Sequence, residues 1–253
     1  MALPFEPRSL RAFSIYPEHN VNAARTLVRR FWPRPAELAM VGFERVTGRT
    51  FPALKPGKGF YTLPSFYVGN HTSFIGDGEI LPWPSHTDWL DLELELGFVL
   101  DSEVAAASPQ EGLAAIGGFF VINDWSARDV QAREYREGMF GPAVKSKSFA
   151  TGMGAEVVDA GQVLPRWDCL GASFAVNGET WSETSTAGAA HSPGDLVAYA
   201  SRGERLAPGD VFAMGTLPRG CGLELDRRLQ PGDEVQLEIE GVGTLSNRVG
   251  ERA

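Results

Sequence analysis

The sequence predicts a mainly β chain with a few helices, an α+β protein, and three observations carry that prediction. Pro-Gly-Asp occurs at 193–195, 208–210 and 231–233, and each triplet suits a tight turn, because proline presets φ and glycine accepts a positive one. Each triplet runs into an apolar stretch that reads as a strand, as in Val211-Phe212-Ala213-Met214 or the period-two run Val235-Gln236-Leu237-Glu238-Ile239. Residues 90–96 alternate leucine with Asp91, Glu93 and Glu95, and successive side chains on a strand point to opposite faces.

Taken in order, residues 1–35 form an N-terminal lobe. Alanines, arginines and a leucine over 19–31 are spaced for a helix, stopped by Trp32-Pro33-Arg34-Pro35. Residues 36–253, with the lobe one structural unit, turn to short apolar runs punctuated by glycine and proline. In the leucine-acid strand, same-face neighbours stand roughly 7 Å apart, so Glu93 and Glu95 can converge on one divalent cation. A solvent-facing antiparallel strand alternates in the same way. Residues 116–120 read as a buried strand running on to Asp124, at a strand-to-helix junction. Ser126 with Asp129 approximates a capping box for the helix that follows, where Gln131 and Tyr135 share a face. Residues 145–152 are a loop by composition, and the glycines and proline of 136–142 suit a lid.

Several ordered motifs together resemble the fumarylacetoacetate hydrolase family. They are Leu-Asp-Leu-Glu-Leu-Glu at 90–95, Asn-Asp-Trp-Ser-Ala-Arg-Asp-Val-Gln at 123–131, Lys-Ser-Phe-Ala-Thr at 147–151, Gly215-Thr216, and Pro-Gly-Asp at 231–233 followed by residues 240–249. The resemblance runs from about residue 10 to residue 249. It implies a mixed β-sandwich roll that forms homodimers and a Mg²⁺ or Mn²⁺ site on Glu93, Glu95 and Asp124. An all-oxygen set suits such hard cations, in keeping with the absence of any Cys or His cluster at metal spacing.

The same resemblance places His19 on the family's catalytic histidine and Glu224 on the glutamate that orients it. It also places Ala12 where an aspartate stands in fumarylacetoacetase itself. The resemblance further implies that Lys147 and Thr151 line the metal site, Lys147 as a catalytic group that adds positive charge or protonates the departing carbon. It likewise implies that Gln131, Tyr135, Thr151 and Thr216 meet the substrate. The implied activity is metal-dependent hydrolysis of a carbon–carbon bond in a 1,3-dicarbonyl such as an acylpyruvate, in aromatic catabolism, with water activated by the His-Glu pair. Relatives on the same scaffold decarboxylate oxaloacetate-like acids or isomerise and hydrate keto acids, so those reactions stand as the alternative. Ala12 motivates a further one, a non-catalytic binder of small dicarboxylates.

Composition is consistent with a small-molecule substrate and argues against other partners. The net charge of −9 argues against a nucleic-acid surface. No basic-then-apolar leader opens the chain, and the longest apolar run, 114–122, is too short for a bilayer. A soluble, cytoplasmic protein is expected, with Cys169 and Cys221 reduced.

Overall fold

The computed structural model describes residues 3–138, 140–141 and 143–252. The chain opens with strand β1 (Ser9–Phe13) and helices α1 (Pro17–Phe31) and α2 (Arg34–Thr47). Strands β2 (Phe66–Gly69), β3 (Phe74–Gly76), β4 (Ile80–Leu81), β5 (Leu90–Asp91), β6 (Glu93–Leu100) and β7 (Val104–Ala105) follow. Helix α3 (Pro109–Ala114) leads into β8 (Ile116–Asn123), β9 (Ser126–Ala127) and helix α4 (Arg128–Glu137). Next come β10 (Thr151–Met153), β11 (Val158–Asp159), α5 (Ala160–Val163), β12 (Gly171–Val176), β13 (Glu179–Ser185), α6 (Pro193–Ala200) and β14 (Arg205–Leu206). The long strand β15 (Asp210–Cys221), the one-turn helix α7 (Gly222–Leu225), β16 (Glu234–Ile239) and β17 (Gly243–Val249) complete it. Strands dominate, as the turn spacing predicts.

Two large sheets organise these elements. One runs β2-β1-β15-β6-β8-β10-β3, with β11 also on β8; the other runs β13-β12-β16-β17-β4. The first element of the chain, β1, is built into the larger sheet, parallel to β15 and antiparallel to β2. Leu94, Leu96 and Phe98 of β6 share one apolar core with Phe174 of β12, Leu237 of β16 and Leu245 of β17. The opposite face of the larger sheet buries Leu10, Phe120, Ile122 and Val211 in a second cluster. Its central strands are therefore covered on both sides. This excludes the solvent-facing reading of residues 90–96: Asp91, Glu93 and Glu95 are as buried as the leucines between them.

Several local expectations are corrected. Residues 34–47 are helical, not a run of strands and turns. Pro35 sits in the first turn, where no backbone donor is needed, and Gly48 closes the helix at φ 65° with its N–H on Glu44. Residues 193–195 begin α6 and do not form a turn before a strand. Ser192 caps the Asp195 N–H while the Asp195 carboxylate returns to the Ser192 N–H, and Pro193 occupies the first turn. Bare Gly194 also lets α6 close on α3, since a Cβ there would lie 2.4 Å from the Pro109 carbonyl. The other two triplets are turns, with Gly209 and Gly232 at φ 89° and 88°.

Ser126 does not cap α4. Ala127 occupies that position, the Ser126 hydroxyl bonds the Asp124 carbonyl, and Asp129 takes the Thr87 hydroxyl and the Asp88 N–H. The predicted 145–152 loop ends in strand β10. Leu92 interrupts the leucine-acid strand, which splits into β5, paired with β9, and β6, paired with β8 and β15. Among the described residues, no helix is long and apolar enough to cross a membrane.

Candidate active site

Strands β6 and β8 run antiparallel with Leu94 opposite Asn123, so Glu93, Glu95 and the first residue past β8, Asp124, gather at one end of the sheet. The junction is tied tightly: the Asp124 N–H donates to the Glu93 carbonyl (3.0 Å), and the Glu93 N–H to Asn123 Oδ1 (2.9 Å). The three buried carboxylates each bring one oxygen within 4.8 Å of the others. Glu95 is oriented by the Gly215 N–H (2.9 Å) and the Thr216 hydroxyl (3.2 Å). Gly215 interrupts the β15 register at φ 106°, and a Cβ there would lie 2.8 Å from the Phe13 carbonyl. Only glycine presents its N–H in that way.

The electrostatics of this cluster are uneven. Burial, then the charges of Asp124 and Glu93, push the Glu95 carboxyl well above its usual 4.5. Burial also raises Asp124. It opposes ionisation of Glu93 as well, but there the positive charges of Lys147 and Arg128 win and hold the group low. The Lys147 ammonium bridges Glu93 and Asp124 (2.8 Å to the latter). Arg128, 1% exposed, gives Nε to Asp91 (2.8 Å) and Nη1 to Glu93 (2.7 Å) and Gln131 (2.9 Å). Among the described residues, Asp124 Oδ1 and Arg128 Nη2 are buried without a hydrogen-bond partner. A carboxylate oxygen left unpartnered inside an all-oxygen cluster fits a hard divalent cation.

Beside the carboxylates stands a base and its orienter. His19, in the first turn of α1, places Nδ1 2.7 Å from Glu224 Oε1, and because a carboxylate only accepts, the neutral tautomer this contact selects carries its proton on Nδ1 and its lone pair on Nε2. Glu224 lies on α7, and its other oxygen takes the Arg219 N–H (2.9 Å) and the Asn22 amide (3.3 Å). Asp91 anchors α7, accepting the N–H groups of Gly222 (3.0 Å) and Leu223 (2.9 Å) while pairing with Arg128. A side chain at Gly222 would come within 2.5 Å of that carboxylate.

One cavity of about 740 Å³ collects these groups: His19, Glu93, Glu95, Asp124, Gln131, Tyr135, Lys147 and Thr216 all line it. Glu224 stands behind His19. Thr151 is buried on β10, next to Gly152, which pairs with Asn123, and is not among the described lining residues. Of the predicted lid, Met139 and Pro142 lie outside the described residues, whereas Phe140 lines the cavity. Ala12 also lines it, cross-strand from Tyr67, whose hydroxyl donates to Asp124 Oδ2 (2.7 Å). A tyrosine therefore reaches the cluster from the position opposite the missing aspartate. The sequence places residues 62–70 near the pocket, and Ser65, Phe66 and Tyr67 do line it, but it assigns no residue-level role to Tyr67, to Arg128 or to Asp91 as an anchor. Arg128 lay in view inside a quoted motif, and Asp91 in the leucine-acid alternation, while Tyr67 has no local signal.

Residues 53–250 match the family model of the fumarylacetoacetate (FAA) hydrolase C-terminal region. The chain is 34% identical over 190 residues to the 4-hydroxyphenylacetate degradation bifunctional isomerase/decarboxylase of Salmonella dublin, covering 75% of this chain but 40% of that protein. It is 30% identical over 192 residues to the mitochondrial oxaloacetate tautomerase Fahd2a of Rattus norvegicus, covering 74% of this chain and 58% of the relative. These curated relatives are thus spanned only in part. Among solved structures, the fumarylacetoacetate hydrolase of Exiguobacterium antarcticum superposes with a TM-score of 0.71 at 24% identity, over 99% of this chain and 78% of that one.

Proposed function

The chain belongs to the fumarylacetoacetate hydrolase family, and on that premise we propose that it is a divalent-cation-dependent enzyme acting through the enolate of a 2-oxo acid, isomerising it by proton transfer at the carbon beside the keto group or decarboxylating it by losing CO₂ from that carbon, which then takes up a proton. The observation that carries this reading is the shared cavity wall of His19 and the Glu93, Glu95 and Asp124 cluster. The relatives named isomerase/decarboxylase and oxaloacetate tautomerase support it.

Each residue then has a task. His19 Nε2 takes the proton from carbon, and Glu224 holds the ring tautomer and stabilises the imidazolium. Glu93, Glu95 and Asp124 hold Mg²⁺ or Mn²⁺, which supplies the positive charge that favours an enolate over the ketone. Lys147 adds charge and returns a proton, while Gln131, Tyr135 and Thr216, which line the cavity, orient the acid. A chain that only bound a dicarboxylate would have no use for a histidine oriented by a glutamate. The free cysteines fit a reducing compartment, and we place the protein in the cytoplasm as a homodimer.

Carbon–carbon hydrolysis is the second reading, favoured by the 2.7 Å His19–Glu224 contact, which equally suits a base for water. The test is to incubate oxaloacetate and a panel of acylpyruvates in D₂O with Mg²⁺, Mn²⁺ or chelator. Decay of the enol absorbance is followed, and products are identified by mass. Cation-dependent deuterium entry beside the keto group supports isomerisation by proton transfer, and cation-dependent loss of CO₂ supports decarboxylation. Release of two acids, or an acid and a ketone, moves the assignment to hydrolysis, and silence with cation bound overturns both.

A further inference from the structure

The cavity wall changes character along its length. At one end are Glu93, Glu95, Asp124, Arg128, Lys147 and His19. The rest of the wall includes Ala23, Ala24 and Leu27 of α1, Ala39 and Met40 of α2, and Phe51. Among the described residues no charged side chain of α1, α2 or 51–54 lines this part. Arg25 and Glu44 beside it are held to each other as a two-bonded pair (3.1 and 3.0 Å), and Glu44 also accepts the Phe51 N–H (3.1 Å). That tie fixes α1, α2 and Phe51 to one another, so the apolar lobe has a defined wall.

The lobe is continuous with the reacting end. His19, Ala23 and Leu27 repeat at intervals of four on one face of α1, so the base and the apolar wall share a stripe. Eight residues at 1.5 Å per residue put Leu27 about 12 Å from His19 along the axis. The space exists because so many lining side chains stop at Cβ.

We propose that the substrate carries an uncharged apolar group, an alkyl chain or aryl ring, on the end of the keto acid remote from its carboxylate, and that this group lies in the lobe between α1 and α2. This rests on the keto-acid reading above. A second carboxylate at the remote end would lose its hydration there and meet no cation.

The test is calorimetric binding of 2-oxo acids that need not react: pyruvate, 2-oxobutanoate, 2-oxohexanoate, 2-oxooctanoate and 2-oxoadipate, each with Mg²⁺ present. The expected result is roughly fourfold tighter binding per added methylene, with 2-oxoadipate about tenfold weaker than 2-oxohexanoate. Ala24→Phe, at a half-buried position, flattens the chain-length series by filling the lobe. Ala39→Glu, at an exposed position where folding tolerates change, weakens the long acids most. A Kd independent of chain length, or tightest binding by 2-oxoadipate, overturns the assignment, whether the lobe is then covered by the chain itself or by a second copy. The readout needs no turnover. A steep series with no activity on any keto acid rejects the reaction class and keeps the apolar site; a flat series with activity intact does the reverse.

Discussion

Adding a divalent cation to the metal-free chain should raise its melting temperature, and the size of the rise follows from the site. Three buried carboxylates bring oxygens within 4.8 Å of one another, and the unfolded chain has no such arrangement, so the ion binds the folded state alone. At a free concentration one hundred times Kd this linkage stabilises by about 2.7 kcal/mol. A chain of this length gains about 2–4 °C per kcal/mol, which predicts a rise of about 5–10 °C. The pH dependence has a defined sign. Glu95 is raised by burial and by Asp124 and Glu93, so the cation-free fold binds a proton that the unfolded chain releases near 4.5. That fold therefore loses stability as pH climbs from 4.5 through the raised value. Cation binding displaces the proton, and the gain grows over the same window. The assay is a thermal melt in chelator, saturating Mg²⁺ and saturating Mn²⁺ at several pH values, with Asp124→Asn beside the parent. Equal melting temperatures with and without either ion, or an equal rise in Asp124→Asn, would refute the reasoning.

Four further outcomes are expected. His19→Ala keeps the cation-linked rise in melting temperature while turnover falls about 10²- to 10⁴-fold; full turnover would remove His19 as the base. Gly215→Ala costs about 1–3 kcal/mol in urea unfolding, because alanine must hold φ 106° with its Cβ against the Phe13 carbonyl; an unchanged midpoint would contradict the bulge geometry. Asp91→Asn costs about 3–5 kcal/mol, since Arg128 loses its buried partner and an amide group is turned toward at least one N–H donor; a loss below about 1 kcal/mol would show that Asp91 does not anchor α7. Lys147→Met destabilises the protein in chelator more than in Mg²⁺, because the cation replaces the charge between Glu93 and Asp124; equal losses in both would place Lys147 outside the cation's reach.

Much of the site was legible where the signal is local. Period two puts Glu93 and Glu95 on one face of a strand whatever packs around it. Asp124 was readable as a junction because an apolar run stops where helix-forming residues begin. Local patterns failed where two contexts share one pattern. The alternation at 90–96 is identical for a wetted strand and a buried one, and only the second apolar cluster, built from Leu10, Phe120, Ile122 and Val211, distinguishes them. Pro-Gly-Asp opens a helix at 193 and turns at 208 and 231, the difference being the preceding Ser192, whose hydroxyl caps the chain. Proline at 35 reads as a helix stop from one side and as a first-turn residue from the other.

By itself the sequence determined the strand periodicity, the glycine turns at 209 and 232, and the chemical kinds of group available, because these depend on backbone sterics and neighbours a few residues apart. The meeting of His19 with Glu224 depends on α7 being held against α1 through Asp91 and Arg128. So do the reach of Tyr67 to Asp124 and the apolar lobe between α1 and α2 on packing between distant segments. Tertiary structure decided these because the contacts join residues up to 205 positions apart. No local preference encodes a distance between segments; only burial of the shared core sets it.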